Sequence, residues 1–290
     1  MIISASLLRG SLKCSQSMKT NKGFTLLEMV VVIVILGVLA ASITTFISFG
    51  TQIYTDVTKR DEIVSSARFA IERLNREIRF AVPNSIRVNG NATRQCIEFT
   101  PIILSTIYTD IPVSPEPSSA NIKVIAFDEN LFNSGFTSNL KVGAYILNAN
   151  EFYSNSNKKT FLLANNTIVK GVGVNENEWT LTLDSPETFA QDSPTNRLFF
   201  FNDAVSYCVL NTRLTRHQAY TRNSDNTPQT QGVLMAEDIN MFDNNGNLLP
   251  PFWSSEATQL RNSLATVKFI FDYNNEIVIF NNEIQVQNVP

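Results

Sequence analysis

From Phe24 to Phe49 the chain carries one charged residue, Glu28. The densest part, Met29 to Ala41, is almost all Val, Ile, Leu and Ala. About 20 apolar helical residues cross a hydrocarbon core, so residues 24–49 are expected to form a transmembrane helix. Lys19 and Lys22 stand directly before the run, and basic flanks stay on the cytoplasmic side. The rest of the chain, 50–290, is therefore expected outside, which in a Gram-negative cell is the periplasm. An ordinary secretory signal has a shorter apolar region and a small-x-small cut after it. Here the run is too long and the cut-like feature precedes it. A lipoprotein leader also fits poorly, because Lys13 occupies the place before Cys14 where a small residue is needed.

Charge sharpens this picture. The 290 residues have a net charge of −3, and 17% are charged. Residues 1–23 hold Arg9, Lys13, Lys19 and Lys22 and no acid. Without those four, 19 basic residues face 26 acidic ones, a net charge of −7. A mildly acidic body gives no electrostatic reason to bind nucleic-acid phosphate. Hydrophobic content of 43% is ordinary for a globular chain.

Two residues around the start of the apolar run call for a physical reason. A carboxylate inside such a run costs a few kcal/mol on insertion scales, and intramembrane ionisable residues are functional by default. An interfacial Glu28 that snorkels to the headgroups is the alternative. Gly23 lacks a Cβ, which lets a peptidase bind extended backbone closely. A plain linker glycine is the alternative there.

The string Lys22-Gly23-Phe24-Thr25-Leu26-Leu27-Glu28 resembles the processing motif of type IV prepilins and type II secretion pseudopilins. The resemblance implies that a membrane prepilin peptidase cuts between Gly23 and Phe24 and that the same enzyme N-methylates Phe24. It implies that Glu28 pairs with the N-terminal amine of a neighbouring subunit during assembly. Family leaders are often short, and Met18 gives a more typical start, so residues 1–17 are expected to lie upstream of translation. The implied partners are the prepilin peptidase, other major and minor pilins, an inner-membrane assembly platform and inner-membrane lipid, with no nucleic acid.

Beyond Phe49 the sequence turns polar but keeps helical order. Apolar residues at 64, 67, 71, 74, 78 and 81 alternate spacings of three and four, one face of a helix. The other face carries charges, Glu77 among them, that read as solvated, and Glu72 and Arg76 stand four apart in the favoured order. Pro83 ends the pattern. A helix over 24–82 is about 90 Å long at 1.5 Å per residue, with Gly37 and Gly50 as soft points. The fold class predicted is α+β: a long N-terminal helix, transmembrane over 24–49 and amphipathic over 50–82, packed on one β-rich head over 83–290.

Within the head, 85–88 and 96–99 read as a hairpin turned at Asn89-Gly90. A second hairpin is expected at 266–273 and 276–280 around Asn274-Asn275. Further strand candidates are 121–127, 160–163, 179–183 and 197–201; 110–120, 224–232 and 244–251 read as loops. Cys96 and Cys208 can pair in an oxidising compartment, with two unpaired core thiols as the alternative.

Catalytic chemistry has no visible seat. No nucleotide loop, nucleophile elbow or His-Glu-x-x-His motif is present. The single histidine, His217, sits in a basic spot and reads as a surface residue. Asp243-Asn244-Asn245-Gly246-Asn247 has its glycine too early for a calcium loop and reads as a turn. No catalytic residue, metal or cofactor is expected, and a membrane-tethered enzyme is the least favoured function.

The segment 68–79, Arg-Phe-Ala-Ile-Glu-Arg-Leu-Asn-Arg-Glu-Ile-Arg, resembles the J-type minor pseudopilins of type II secretion. It is similar still more closely to the O-type minor pilins of mannose-sensitive haemagglutinin pili. The resemblance covers 18–82 and implies a minor subunit at the filament tip, in a priming complex. A tip adhesin or ligand-binding module on the same anchor is the other reading, with Phe252-Trp253 as a candidate contact.

Overall fold

The computed structural model describes residues 23–127, 139–172, 176–220, 228, 231–243, 245–256, 263–273 and 276–286. The leader, Asn244, the turn at Asn274-Asn275 and most of the loop 224–232 lie outside the described residues. The chain divides into one unit through Val57 and a second from Thr58 onward.

Helix α1 spans Leu26–Arg79, 54 residues. It passes through Gly37 and Gly50 without interruption. Its last turn tightens, with Phe80 N donating to Glu77 O and Ala81 N to Ile78 O, the i→i−3 bonds that satisfy terminal carbonyls. Pro83 disfavours helical backbone at Val82, whose N–H instead donates to Thr100 O at 2.8 Å.

The second unit takes the end of α1 into its core. Ile63, Ala67, Ala70, Leu74 and Ile78 are buried, whereas Val64 and Ile71 are half-buried. The buried arc is thus turned by one residue from the stripe expected at its N-terminal end, with small alanines allowing close approach. The expected Glu72–Arg76 pair does not form; Arg73 Nε donates to Glu77 Oε1 at 3.0 Å instead.

Fifteen strands are described. Five form an antiparallel sheet in the order β1 (Arg87–Gly90), β2 (Arg94–Phe99), β9 (Ala204–Leu210), β10 (Arg213–Tyr220) and β11 (Val233–Ala236). In a second sheet β14 (Ser263–Tyr273) pairs with β12 (Ile239–Asn240), β13 (Phe252–Ser255) and β15 (Glu276–Val286). Six strands close into a barrel: β3 (Ile102–Asp110), β4 (Ser119–Ile125), β7 (Glu178–Glu187), β6 (Thr160–Val169), β5 (Lys141–Ala144) and β8 (Arg197–Phe201). A short helix α2 (Ala149–Tyr153) and a 3₁₀ turn (Asn155–Asn157) lie between β5 and β6.

The first hairpin turns later than its Asn-Gly pair suggests. Asn89 and Gly90 remain in β1, facing Cys96 and Gln95. Asn91 makes the turn, its side chain accepting from the Thr93 and Arg94 backbone N–H groups at 2.9 Å. Gly90 serves close approach: a Cβ there would lie 2.5 Å from Arg94 O.

The barrel strands run from 102 to 201, inserted between β2 and β9. One core gathers the end of α1, the five-stranded sheet and the β14 sheet, with Leu74, Ile97, Tyr207 and Phe269 among its members. The barrel has its own core around Trp179, Leu181, Phe189 and Phe200. A small cluster of Val82, Ile146, Phe152, Phe199 and Phe201 is distinct from both.

Candidate processing and assembly site

The residues expected at the processing site open the described chain. Gly23 and Phe24 precede α1 in non-helical backbone, and Phe24 is 81% exposed. Exposed, non-helical backbone is what a peptidase needs at a cut. Thr25 and Glu28 then form a reciprocal cap. Glu28 N donates to Thr25 Oγ1 at 3.2 Å, and Thr25 N donates to Glu28 Oε2 at 3.4 Å. This is a capping box, in which two orphan amides at a helix start are satisfied by each other's side chains. The Thr-x-x-Glu spacing is legible in the sequence, yet attention to the charge of Glu28 hides it.

Every residue from 23 to 53 is exposed. α1 is, among the described residues, the helix long and apolar enough to cross a membrane by length and composition. Its few polar groups turn inward. Ser42, Thr44 and Thr45 hydroxyls donate to the carbonyls of Val38, Ala40 and Ala41, and Ser48 to Thr45. A hydroxyl bonded to its own helix exposes no unsatisfied donor to lipid.

In the second unit, Cys96 and Cys208 face each other in register on β2 and β9 and form a disulfide. These are the strands by which the chain enters and leaves the barrel. On the same sheet face Glu98, fully buried, accepts from Arg87 Nη2 at 2.7 Å and from Tyr220 Oη at 2.6 Å. On the helix-facing side Arg216 Nε donates to Glu77 at 3.0 Å, and Tyr207 Oη donates to Glu77 Oε2 at 3.1 Å. Burial first, and the adjoining carboxylates second, push the Tyr207 and Tyr220 phenols well above the ordinary tyrosine range. Glu77 is a residue the sequence places on a solvated helix face; its position beside Ile78 at the rim of the apolar arc is the signal that it turns inward.

Other singled-out residues are dispersed. His217 is half-buried, its Nε2 within 3.0 Å of Thr215 Oγ1. Asp243 accepts from the Asn247 side-chain amide at 2.8 Å and from the Asn247 and Asn245 backbone N–H groups at 2.7 and 2.8 Å, which makes a turn and holds its carboxyl below the usual range. Phe252 is buried whereas Trp253 is 42% exposed. Among the described residues no group of three or more His, Cys, Asp or Glu could hold a metal ion.

The family model of the prokaryotic N-terminal methylation motif matches residues 18–44. No curated protein and no solved structure matches the chain. The matched motif is the type IV pilin and pseudopilin signal, and together with the long apolar helix and β-rich head it supports a type IV pilin- or pseudopilin-like subunit. It implies processing by a prepilin peptidase and assembly with other pilins, and it fits an inner-membrane-anchored protein built into a filament. Proteins bearing this motif are structural rather than enzymatic.

Proposed function

We propose that this chain is a minor, pilin-like structural subunit of a type IV pilus. A prepilin peptidase cuts the precursor between Gly23 and Phe24 on the cytoplasmic side, and Phe24 is N-methylated. The helix over 24–49 holds the subunit in the inner membrane with the head in the periplasm. During assembly the Glu28 carboxylate pairs with the terminal amine of a neighbour. Cys96 and Cys208 staple the head. The observation that carries this reading is the methylation motif in register with an apolar helix whose first half is exposed throughout.

Within that class, the helix segment 68–79 favours an O-type minor pilin of the mannose-sensitive haemagglutinin pilus, MshO. A J-type minor pseudopilin of type II secretion is the related alternative. The inserted barrel makes the head bulky, which suits a tip position in a priming complex better than repetition along a shaft. Immunogold labelling of the head on intact filaments tests this: label confined to one end is expected, and label spread evenly along the shaft contradicts it. A second reading, a ligand-binding head on the same anchor, is favoured by the exposed Trp253 ring. Deleting the head's binding face would then leave piliation normal and abolish attachment.

A further inference from the structure

β15, outside the barrel, ends its sheet. It pairs with β14 at eleven consecutive rungs, from Ser263–Val286 to Tyr273–Glu276, without a register shift. β12 and β13 take the opposite side of β14, since Phe271 and Val267 pair with Ile239 and Phe252 as well as with Val278 and Asn282. Among the described residues no strand but β14 pairs with β15, and no hydrogen bond or ion pair joins residues 277–286 to anything else. In an antiparallel pair, alternate residues exchange both backbone groups with the neighbour. The residues between them turn N–H and C=O to the open edge.

Natural edges are blunted by lysine, proline, a bulge or short length. β15 reads Glu-Ile-Val-Ile-Phe-Asn-Asn-Glu-Ile-Gln-Val. It has no lysine, proline or bulge, and extends about 37 Å at 3.4 Å per residue. Its two faces define what belongs beside it. Val278 and Phe280 face the core that Ile284 and Val286 help fill, yet they stay half-buried where those two are fully buried. Asn282, between Phe280 and Ile284 on the same face, has a buried side-chain nitrogen with no acceptor. On the opposite face Ile277 and Ile279 are each 56% exposed, and Glu283 is exposed and in no ion pair.

We propose that β15 receives an extended segment of another protein by antiparallel strand addition, and that this segment sets a basic residue opposite Glu283. Antiparallel register then sets a hydroxyl residue opposite Asn282, where its oxygen accepts from the free amide. It sets apolar residues opposite Phe280 and Val278, completing their burial, and a β-branched residue opposite Ile279. From its N-terminus the segment therefore runs basic, hydroxyl, polar, apolar, β-branched, apolar. Main-chain bonds to the open edge supply affinity, and the alternating side chains supply selectivity. This rests on the head alone, so its failure leaves the filament reading untouched.

The test titrates the full-length chain in detergent micelles with the peptide acetyl-Lys-Thr-Thr-Val-Thr-Val-amide. It is expected to bind more tightly than about 1 mM, and the same residues in reverse order should bind more weakly. N-methylation of one alternate set of its amides should weaken it at least about tenfold, and of the other set leave it nearly unchanged, because one edge of the peptide faces β15. Replacing its Lys by Glu should cost about two- to fivefold, and in Glu283→Lys that preference should reverse. The proposal is overturned if the peptide does not bind in that range, if reversal of order or both patterns of N-methylation leave affinity unchanged, or if Glu283→Lys keeps the original charge preference. Self-association of the chain in micelles that the peptide disperses would make a second copy the occupant and would also overturn it.

Discussion

Glu28 does two things that substitution can separate. In the isolated chain its carboxylate caps α1 by accepting from Thr25 N at 3.4 Å, while its backbone N–H donates to Thr25 Oγ1 at 3.2 Å, at an exposed helix end. Long, solvent-exposed cap bonds sit at the low end of the known range, about 0.5 kcal/mol. In the assembled filament the same carboxylate is proposed to meet an ammonium group away from water. A hydrogen bond to a charged partner contributes about 1.5–3 kcal/mol, or about tenfold to a hundredfold in an equilibrium. Glu28→Gln keeps the cap, because an amide oxygen accepts from Thr25 N as a carboxylate does, but removes the charge. Glu28→Ala removes both. The account predicts that Gln inserts into the membrane and is cleaved at least as well as wild type, since a neutral amide costs less to insert than a carboxylate. Its recovery in sheared filaments, relative to the membrane pool, should fall at least about tenfold. Ala should fall as far or slightly further. Quantitative immunoblots of the two fractions make the measurement. Wild-type incorporation of the Gln variant, with only Ala defective, would show that capping is the whole role of Glu28 and would refute charge pairing.

Three further outcomes follow from the second unit. Replacing Cys96 and Cys208 by Ser opens a loop spanning 112 residues, for which the chain-entropy description gives up to about 4.7 kcal/mol. The urea midpoint of the detergent-solubilised chain should drop clearly, and an unchanged midpoint would contradict it. Glu77→Ala strands the Arg216 side chain, 9% exposed, and should cost about 3–5 kcal/mol, while an apolar replacement of both partners should recover most of the loss; no recovery in the double variant would count against a paired charge. Tyr207 and Tyr220 have folded-state pKa values raised by burial and nearby carboxylates. The stability they contribute is present below the ordinary tyrosine pKa of about 10 and is lost as pH rises from there toward the raised values, by up to about 1.4 kcal/mol per pH unit for each. Phe at both positions should flatten that alkaline fall, and an unaltered slope would assign it elsewhere.

The long helix was legible because its two signals are local: an unbroken apolar run, then a three-four spacing. Even there the buried arc fell on Ile63 and Ala70 rather than Val64 and Ile71, since an apolar arc wider than its contact leaves its exact centre to packing. The first hairpin was legible as a pair of strands but not in its turn. Asn91 outcompetes Asn89-Gly90 because its side chain collects two backbone amides, and Gly90 is held in the strand by the nearness of Arg94 O. The closed barrel was not legible. Its order, β3-β4-β7-β6-β5-β8, joins strands distant in sequence, and short strands such as Lys141–Ala144 carry too few residues to show alternation. Of the candidate site, Glu28 stood out by its charge, but its cap to Thr25 was masked by that same prominence. Glu77 was misread because residues at the rim of an amphipathic arc look alike whether they face solvent or a buried Arg216.

The central claim is that a peptide bond is cut at Gly23–Phe24 and that a new, methylated amine begins the mature helix. Intact-protein mass spectrometry with N-terminal fragmentation, on the chain recovered from membranes of cells with and without prepilin peptidase activity, tests it most directly. The account predicts a chain beginning at Phe24 and one methyl group heavier than unmodified sequence, replaced by the uncut precursor when the peptidase is absent. A mature chain beginning after the apolar run, or one keeping Gly23 in peptidase-competent cells, would contradict it.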